Sequence, residues 1–164
     1  MPGRGMKSAM TDILMAIAQT NGVRTSDVGA GLSRDQIAAA LREAGHPVHP
    51  TLLDFYSQLN GMQLARAGFE LWIRDLSTML SETALEHLDD FGAYFYDEEE
   101  REPFAPFHVF AKHGRVMILV DLATLKTARS FDLDVEPLRT DLAETIEELV
   151  RSGFSADWER DCRV

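Results

Sequence analysis

The chain has a single cysteine and no long apolar run. Cys162 is the only cysteine among 164 residues, so an internal disulfide is excluded, which is typical of a reducing compartment. No apolar stretch approaches the roughly 20 residues that span a bilayer. Thr11, Asp12, Gln19 and Thr20 interrupt the apolar run near the N-terminus, so it does not resemble a secretory signal. We therefore expect a cytoplasmic protein that does not contact a membrane.

The motifs of several catalytic classes are also missing. The chain has no G-x-S-x-G motif around a serine nucleophile and no glycine-rich loop of P-loop or Rossmann spacing. His46 and His49 are three residues apart, but a metal site needs further ligands that the sequence does not identify. We predict a non-enzymatic protein with no catalytic residue, no metal and no cofactor. A carboxylate-based hydrolase is the least favoured alternative. Carboxylates are so abundant in this chain that a neighbouring pair such as Asp89 and Asp90 is no evidence of a catalytic pair.

Positive charge is scarce in the second half of the chain. The net charge of −11 comes from 16 Lys and Arg residues against 27 Asp and Glu residues. Residues 1–80 carry seven acids and seven bases, whereas residues 81–164 carry twenty acids and nine bases. Because a nucleic-acid-binding surface needs positive charge, we expect no nucleic acid partner. The acidity is compatible with a basic protein partner and equally with solubility alone.

Hydrophobic periodicity predicts an α+β fold with one small, mostly antiparallel sheet flanked by helices. The apolar spacing predicts helices over residues 6–20, 33–44, 50–59, 81–88 and 142–153. Alternation and apolar runs predict strands over residues 69–73, 91–96, 107–111, 116–121 and 127–132. The strands 107–111 and 116–121 form a central hairpin. We expect one domain over residues 1–164, with an extra N-terminal helix (6–20), a core (33–151) and a tail (154–164).

Local signals set several of these boundaries. Ser33 and Gln36 have the spacing of a capping box at a helix start. The third helix opens at Pro50 and carries two aromatic residues, Phe55 and Tyr56, on the face that we expect to cover the sheet. The pair Asn60-Gly61 is typical of a left-handed helix C-cap and predicts the end of this helix.

The most distinctive polar feature is the acidic run of residues 97–102, in which one Arg interrupts five acids. It is explained either as a solvated loop that keeps the preceding strand from pairing, or as an acidic lip beside two tyrosines. Tyrosines can anchor a protein interface while carboxylates steer a basic partner. The candidate partner-binding residues are Tyr94, Tyr96, Asp97, Glu98, Glu99 and Glu100.

The order of elements resembles the SUKH superfamily, which includes yeast cell-wall-synthesis regulators and many bacterial immunity proteins. The resembling segments are SRDQIAAALREAG, HPVHP, LLDFYSQLNGMQL, FAPFHVFAKHGRVMILVDL and DLAETIEELV. The chain departs from the family in having Val48-His49-Pro50 where a Leu-Pro is usual, a hairpin turn without the frequent Gly- and Asp-rich sequence, and the additional helix 6–20. The resemblance covers the middle and C-terminal three-quarters of the chain.

The resemblance implies a non-enzymatic binding domain. We expect a cytoplasmic immunity protein that neutralises a cognate toxin, often a nuclease, through an acidic surface. The alternative is a cytosolic regulatory or scaffold module of the same fold that binds a partner unrelated to toxins. Neither interpretation predicts an oligomeric state.

Overall fold

The computed structural model describes residues 28–66, 69–152 and 162–163, which form one seven-stranded sheet with helices packed on it. The strands lie in the sheet in their order along the chain, and every neighbouring pair is antiparallel. They are β1 (Val28–Ala30), β2 (Leu59–Arg66), β3 (Phe69–Ile73), β4 (His108–His113), β5 (Val116–Val120), β6 (Lys126–Phe131) and β7 (Asp134–Asp141). The predicted α+β class is confirmed.

Six α-helices lie in the described residues. They are α1 (Arg34–Glu43), α2 (Pro50–Gln58), α3 (Leu76–Ser81), α4 (Ala84–Asp90), α5 (Glu98–Arg101) and α6 (Leu142–Arg151), and a 3₁₀ turn, Glu102–Phe104, follows α5. The predicted helix 6–20 lies outside the described residues, as does the predicted tail 154–164 except for residues 162–163. No helix of the described chain is long and apolar enough to cross a membrane.

The predicted start of α1 is confirmed. The Gln36 backbone N–H donates to Ser33 Oγ at 3.1 Å, and Gln36 Oε1 accepts from the Ser33 N–H at 3.0 Å, which completes the capping box. Helix α1 ends where Gly45 takes a φ of 82°, a conformation that glycine adopts without a steric penalty. Pro50 occupies the first turn of α2, as predicted.

The two aromatic residues of α2 pack into the core under the sheet. Phe55 and Tyr56 are fully buried, and the Phe55 ring lies 5.2 Å from the ring of Phe110 on β4. The Tyr56 hydroxyl donates to the Arg74 carbonyl oxygen at 3.0 Å. The short helix is therefore fixed to the sheet by ring packing and by one buried hydrogen bond.

The predicted helix cap at Asn60-Gly61 is wrong. Leu59 is already extended, with φ −151° and ψ 145°, and it begins β2 directly. Asn60 Oδ1 instead accepts from the Leu76 backbone N–H at 2.8 Å, at the start of α3. Gly61 has a φ of 88°, and a Cβ there would lie 2.9 Å from the Asp75 nitrogen, so the glycine permits a close approach of two backbone segments.

The predicted central hairpin is confirmed, and β5 is an interior strand with four consecutive buried residues. The turn between β4 and β5 includes Gly114, whose φ is 60°. A bulge in β4 leaves Phe110 without a partner opposite it, between the pairs Val109–Leu119 and Ala111–Ile118. As a result, Phe110 and Ala111 both belong to the larger core, while Val109 belongs to the smaller one.

The two faces of the sheet have separate hydrophobic cores. The larger core is built by α1, α2, α3 and α6, with buried residues that include Leu41, Tyr56, Met79, Ile118 and Ile146. The smaller core is built by α4 and the 3₁₀ turn, with the buried residues Ala84, Leu88, Phe104, Val109, Met117, Leu119 and Ala128. The candidate binding residues belong to the layer that covers the smaller core.

Three further predictions need correction. Residues 91–96 form no strand, and the predicted helix 81–88 begins only at Ala84, because Thr83 caps α4 and Ser81 ends α3. The acidic run 97–102 is α5 followed by the start of the 3₁₀ turn, where a loop was expected. Strands β1, β2 and β7 were not predicted, whereas the predicted strands 69–73 and 127–132 and the last helix are confirmed within about two residues.

Candidate protein-binding surface

Three large aromatic side chains are exposed together between α4 and α5. Phe91 is 74%, Tyr94 71% and Tyr96 83% exposed. The rings of Tyr94 and Tyr96 pack edge to face with centroids 5.5 Å apart. Exposed apolar side chains that cluster on a protein surface often mark a binding site. We call the surface formed by Phe91, Tyr94, Tyr96, Glu98 and Glu99 the aromatic–acidic surface.

The alternating sequence of this segment explains why the tyrosines point outward. Ala93 and Phe95 are half-buried and pack against the smaller core, and the Phe95 ring lies 5.9 Å from Phe104. Tyr94 and Tyr96 alternate with these residues and face solvent. The period of two predicted a strand, which is wrong, because the segment pairs with no strand in the described structure.

The start of the segment is held by the C-terminal turn of α4. The backbone N–H groups of Phe91, Gly92 and Ala93 donate to the carbonyl oxygens of the last turn of that helix at 3.0 to 3.2 Å. Gly92 has a φ of 73°, which reverses the chain as in a helix C-cap. This turn leaves the Phe91 ring 4.7 Å from the ring of His87.

The end of the segment is held by the acidic run itself. Asp97 Oδ1 accepts from the Glu100 backbone N–H at 3.1 Å, and Glu100 Oε2 accepts from the Tyr96 N–H at 3.0 Å. Two of the predicted contact carboxylates therefore satisfy backbone donors at the start of α5. Glu98 and Glu99 are exposed, so their charges face solvent.

An ion pair ties α5 to α4 beside the surface. The Arg101 guanidinium donates through Nη1 and Nη2 to the two Asp89 carboxylate oxygens at 2.9 and 3.2 Å, and it lies 5.1 Å from the centre of the Phe95 ring. The hydrogen bond to Arg101 lowers the pKa of Asp89. The single base of the acidic run thus fixes the segment in place.

A buried cation lies behind the surface. Arg74 is 3% exposed, and its Nη2 donates to Glu82 Oε1 at 3.1 Å and to His87 Nδ1 at 2.7 Å. Its guanidinium carbon also lies 5.6 Å from the centre of the Trp72 ring. Nε and Nη1 of Arg74 have no hydrogen-bond partner within the described chain. Glu82 and Trp72 together compensate the buried charge.

Two carboxyl groups share a hydrogen bond next to Arg74. The bond from Asp90 lowers the pKa of Glu82, and the same bond raises the pKa of Asp90. Glu82 therefore keeps its charge to lower pH, and it accepts from Arg74. Burial, followed by the charge of Arg74, lowers the pKa of His87, so the imidazole is neutral at neutral pH.

A groove of 240 Å³ lies beside Phe91, between α4, the β4–β5 hairpin and the turn after β6. Its lining consists of His87, Leu88, Phe91, Lys112, Arg115, Met117 and Asp132. Arg115 pairs with Asp132 at 2.8 Å and lies over the ring of Phe131. Glu82 and Asp90 do not line this groove, so their hydrogen-bonded pair does not face it.

The histidines considered as metal ligands have other contacts. His49 Nε2 lies 3.0 Å from the Leu122 carbonyl oxygen, and the His46 ring packs against His108 with centroids 5.4 Å apart. Among the described residues, no group of three or more His, Cys, Asp or Glu side chains is placed to hold a metal ion.

The sequence predicted the two tyrosines and the acidic run as candidate binding residues, and it did not indicate the other residues described here. Phe91 was assigned to a strand, so its exposure was not expected. The structural roles of Asp97 and Glu100 depend on where α5 begins, which the run of acids does not reveal. The burial of Arg74 and His87 depends on the contact between α4 and the residue that follows β3, which are 13 residues apart, and no local pattern signals it.

Comparison of the chain with protein-family models, with curated proteins and with solved structures found no match. A function for the aromatic–acidic surface therefore has to be inferred from its chemistry.

Proposed function

We propose that this protein is a non-enzymatic binding domain that engages a basic protein through the aromatic–acidic surface. We further propose that it acts in the cytoplasm as an immunity protein, with the partner a nuclease-type toxin that it neutralises. The observation that carries the proposal is the exposure of Phe91, Tyr94 and Tyr96 in one segment with the exposed carboxylates of Glu98 and Glu99.

The aromatic residues supply the anchoring part of such an interface. Tyrosine is among the residues that dominate binding energy at protein interfaces, because it adds large contact area and one polar group with few rotatable bonds. Tyr94 and Tyr96 already support each other edge to face, and inward packing of Phe95 holds the backbone between them. The partner would therefore meet a largely pre-organised surface, which lowers the entropy lost on binding.

The charge around the aromatic residues supports a basic partner. Residues 89–102 carry seven acids and one base, and that base, Arg101, is paired with Asp89. A nuclease presents cationic groups that hold phosphates, and an acidic protein can compete for them with fast, salt-sensitive association. The resemblance of residues 33–150 to the SUKH superfamily points to the same class of function.

The test is affinity capture from a lysate of the native host, with the tagged protein as bait and elution by a salt gradient. We expect one basic protein to be released by salt, to be identified by mass spectrometry and to lose nuclease activity when stoichiometric bait is added back. A captured partner without toxic or nuclease activity would contradict the immunity role and favour a regulatory module. Failure to capture any basic protein at low salt would contradict the binding function.

Variants then locate the interface. The double substitution Tyr94→Ala with Tyr96→Ala should weaken binding by roughly 30-fold or more, as loss of an interface hot spot does. Glu98→Lys with Glu99→Lys should weaken it by about tenfold at low salt and by less at high salt. These positions are chosen over Asp97 and Glu100, whose carboxylates hold the backbone.

The matched control reverses two exposed acids elsewhere, Glu43→Lys with Glu70→Lys, and changes the net charge by the same amount. If this control weakens binding as much as the pair on α5 does, total charge and not the aromatic–acidic surface determines the affinity. If neither the tyrosine nor the glutamate pair changes it, the partner binds another face.

A further inference from the structure

The groove beside Phe91 collects hydrogen-bond donors and positive charge in a strongly acidic protein. Lys112 and Arg115 line it, and within the described chain the Lys112 ammonium makes no ion pair. Asp132 is its single carboxylate, and that group is already paired with Arg115. The lining therefore carries one more positive than negative charge, although the whole chain carries −11.

The buried Arg74 determines which nitrogen of His87 carries the proton. Arginine does not lose its proton in proteins, so the 2.7 Å contact between Arg74 Nη2 and His87 Nδ1 is a bond that Nδ1 accepts. In a neutral imidazole whose Nδ1 accepts, the proton lies on Nε2. Glu82 Oε1 also lies 3.1 Å from His87 Nδ1, but this oxygen accepts from Arg74 Nη2, and the shorter 2.7 Å contact of Nδ1 with a group that can only donate leaves no room for a proton on Nδ1.

His87 therefore offers a directed donor to the groove. The side chain is only 9% exposed, and it lines the groove. Within the described residues Nε2 donates to no protein group, and the atom is accessible from the surface. An N–H group held in one tautomer by a buried arginine is a fixed donor that calls for an acceptor.

The remaining lining is apolar. Leu88 and Met117 are buried, and Phe91 forms an open aromatic wall. The groove is smaller than the roughly 300–1,000 Å³ of sites for drug-sized ligands, so it suits a fragment or one side chain. We propose that the groove binds a carboxylate carried on a small apolar body, with the acid accepting from His87 Nε2–H and pairing with Lys112 while the apolar part packs on Phe91.

Such a carboxylate can come from a free aromatic acid or from a glutamate side chain of a bound protein, and two probes separate these sources. Sodium benzoate represents the free acid, and N-acetylglutamate amide represents the side chain. Their neutral counterparts, benzamide and N-acetylglutamine amide, keep the shape and remove the charge. The test needs no partner protein, so its result does not depend on the proposed function.

The measurement is an NMR titration of histidine-labelled protein, with the His87 Nε2–H signal as the readout and probe concentrations up to about 10 mM, which detects millimolar affinity. We expect at least one acid to shift the His87 signal in a saturable way while its neutral counterpart does not. Binding of benzoate alone assigns the groove to a free aromatic acid. Binding of the glutamate probe assigns it to a protein side chain.

Lys112→Met tests the charge contact, with Lys126→Met as its matched control, since both lysines are exposed and Lys126 lies on β6 outside the groove. Lys112→Met should raise the Kd of the acid by about fivefold or more, and Lys126→Met should leave it within about twofold. The proposal is overturned if neither acid shifts His87, if acid and neutral probe act alike, or if the two lysine variants have equal effects.

Discussion

Replacing Tyr56 by phenylalanine isolates one buried hydrogen bond without opening a cavity. Tyr56 is fully buried, and its hydroxyl lies 3.0 Å from the Arg74 carbonyl oxygen and 3.6 Å from Met79 Sδ. Burial, with a further contribution from Asp75, raises the pKa of the Tyr56 phenol, so the group keeps its proton and donates. Phenylalanine retains the ring contacts with Phe55 and removes only the donor.

The magnitude follows from what the substitution leaves behind. The Arg74 carbonyl oxygen would be enclosed without its partner, and a buried unsatisfied acceptor costs about 1–3 kcal/mol. Phenylalanine has no hydroxyl group that would itself be left without a hydrogen-bond partner, which reduces the cost. We therefore expect the free energy of unfolding to fall by about 1–2 kcal/mol. For a chain of this size that corresponds to a decrease in Tm of roughly 2–8 °C.

The assay is urea unfolding followed by circular dichroism, analysed as a two-state transition. The midpoint should fall while the m-value stays constant. Tyr96→Phe is the control, because its ring is 83% exposed, and it should change the unfolding free energy by less than about 0.5 kcal/mol. An equally small change for Tyr56→Phe would refute the assignment of this hydroxyl as the satisfying donor of Arg74.

Two further outcomes are expected from stability measurements. Gly29→Ala places a Cβ against the Asn60 carbonyl oxygen across β1 and β2, so the unfolding free energy should fall by about 1–3 kcal/mol, and an unchanged urea midpoint would show that β1 is not packed as described. Burial lowers the pKa of His46 and His87 below 6.5, so the unfolded chain binds more protons just below that pH. Stability should therefore fall as the pH drops from 6.5 toward about 5. A urea midpoint that increases as the pH is lowered through this range would contradict the burial of neutral imidazoles.

Local signals predicted the elements whose boundaries depend on neighbouring residues. The capping box at Ser33, the proline that opens α2 and the apolar arms of the β4–β5 hairpin each act within a few residues. The unpredicted strands are different. β7 contains Asp134, Glu136 and Pro137, and its place in the sheet comes from pairing with β6, which propensity does not encode.

The errors at the candidate surface have the same physical origin. An alternating segment such as 91–96 becomes a strand only if another strand offers it hydrogen bonds. In the described structure it pairs with no strand, and Ala93 and Phe95 pack against the smaller core instead. Asn60-Gly61 has the sequence of a helix cap, but the side-chain oxygen of Asn60 accepts a hydrogen bond from the Leu76 N–H at the start of α3. Tertiary partners decide both outcomes, and those partners are distant in sequence.

The connection between β3 and β4 has a consequence for how this protein can change. Antiparallel neighbours need only a two-residue turn, yet these two strands are joined through residues 74–107, which contain α3, α4, α5 and the three exposed aromatic residues. The ladder between the strands fixes the ends of this insert. Loop-closure entropy rises only slowly with length, so residues can be gained or lost within it while the register of the sheet is retained. The sheet is thus a constant frame, and the insert that carries the exposed aromatic residues can vary in length as well as in composition.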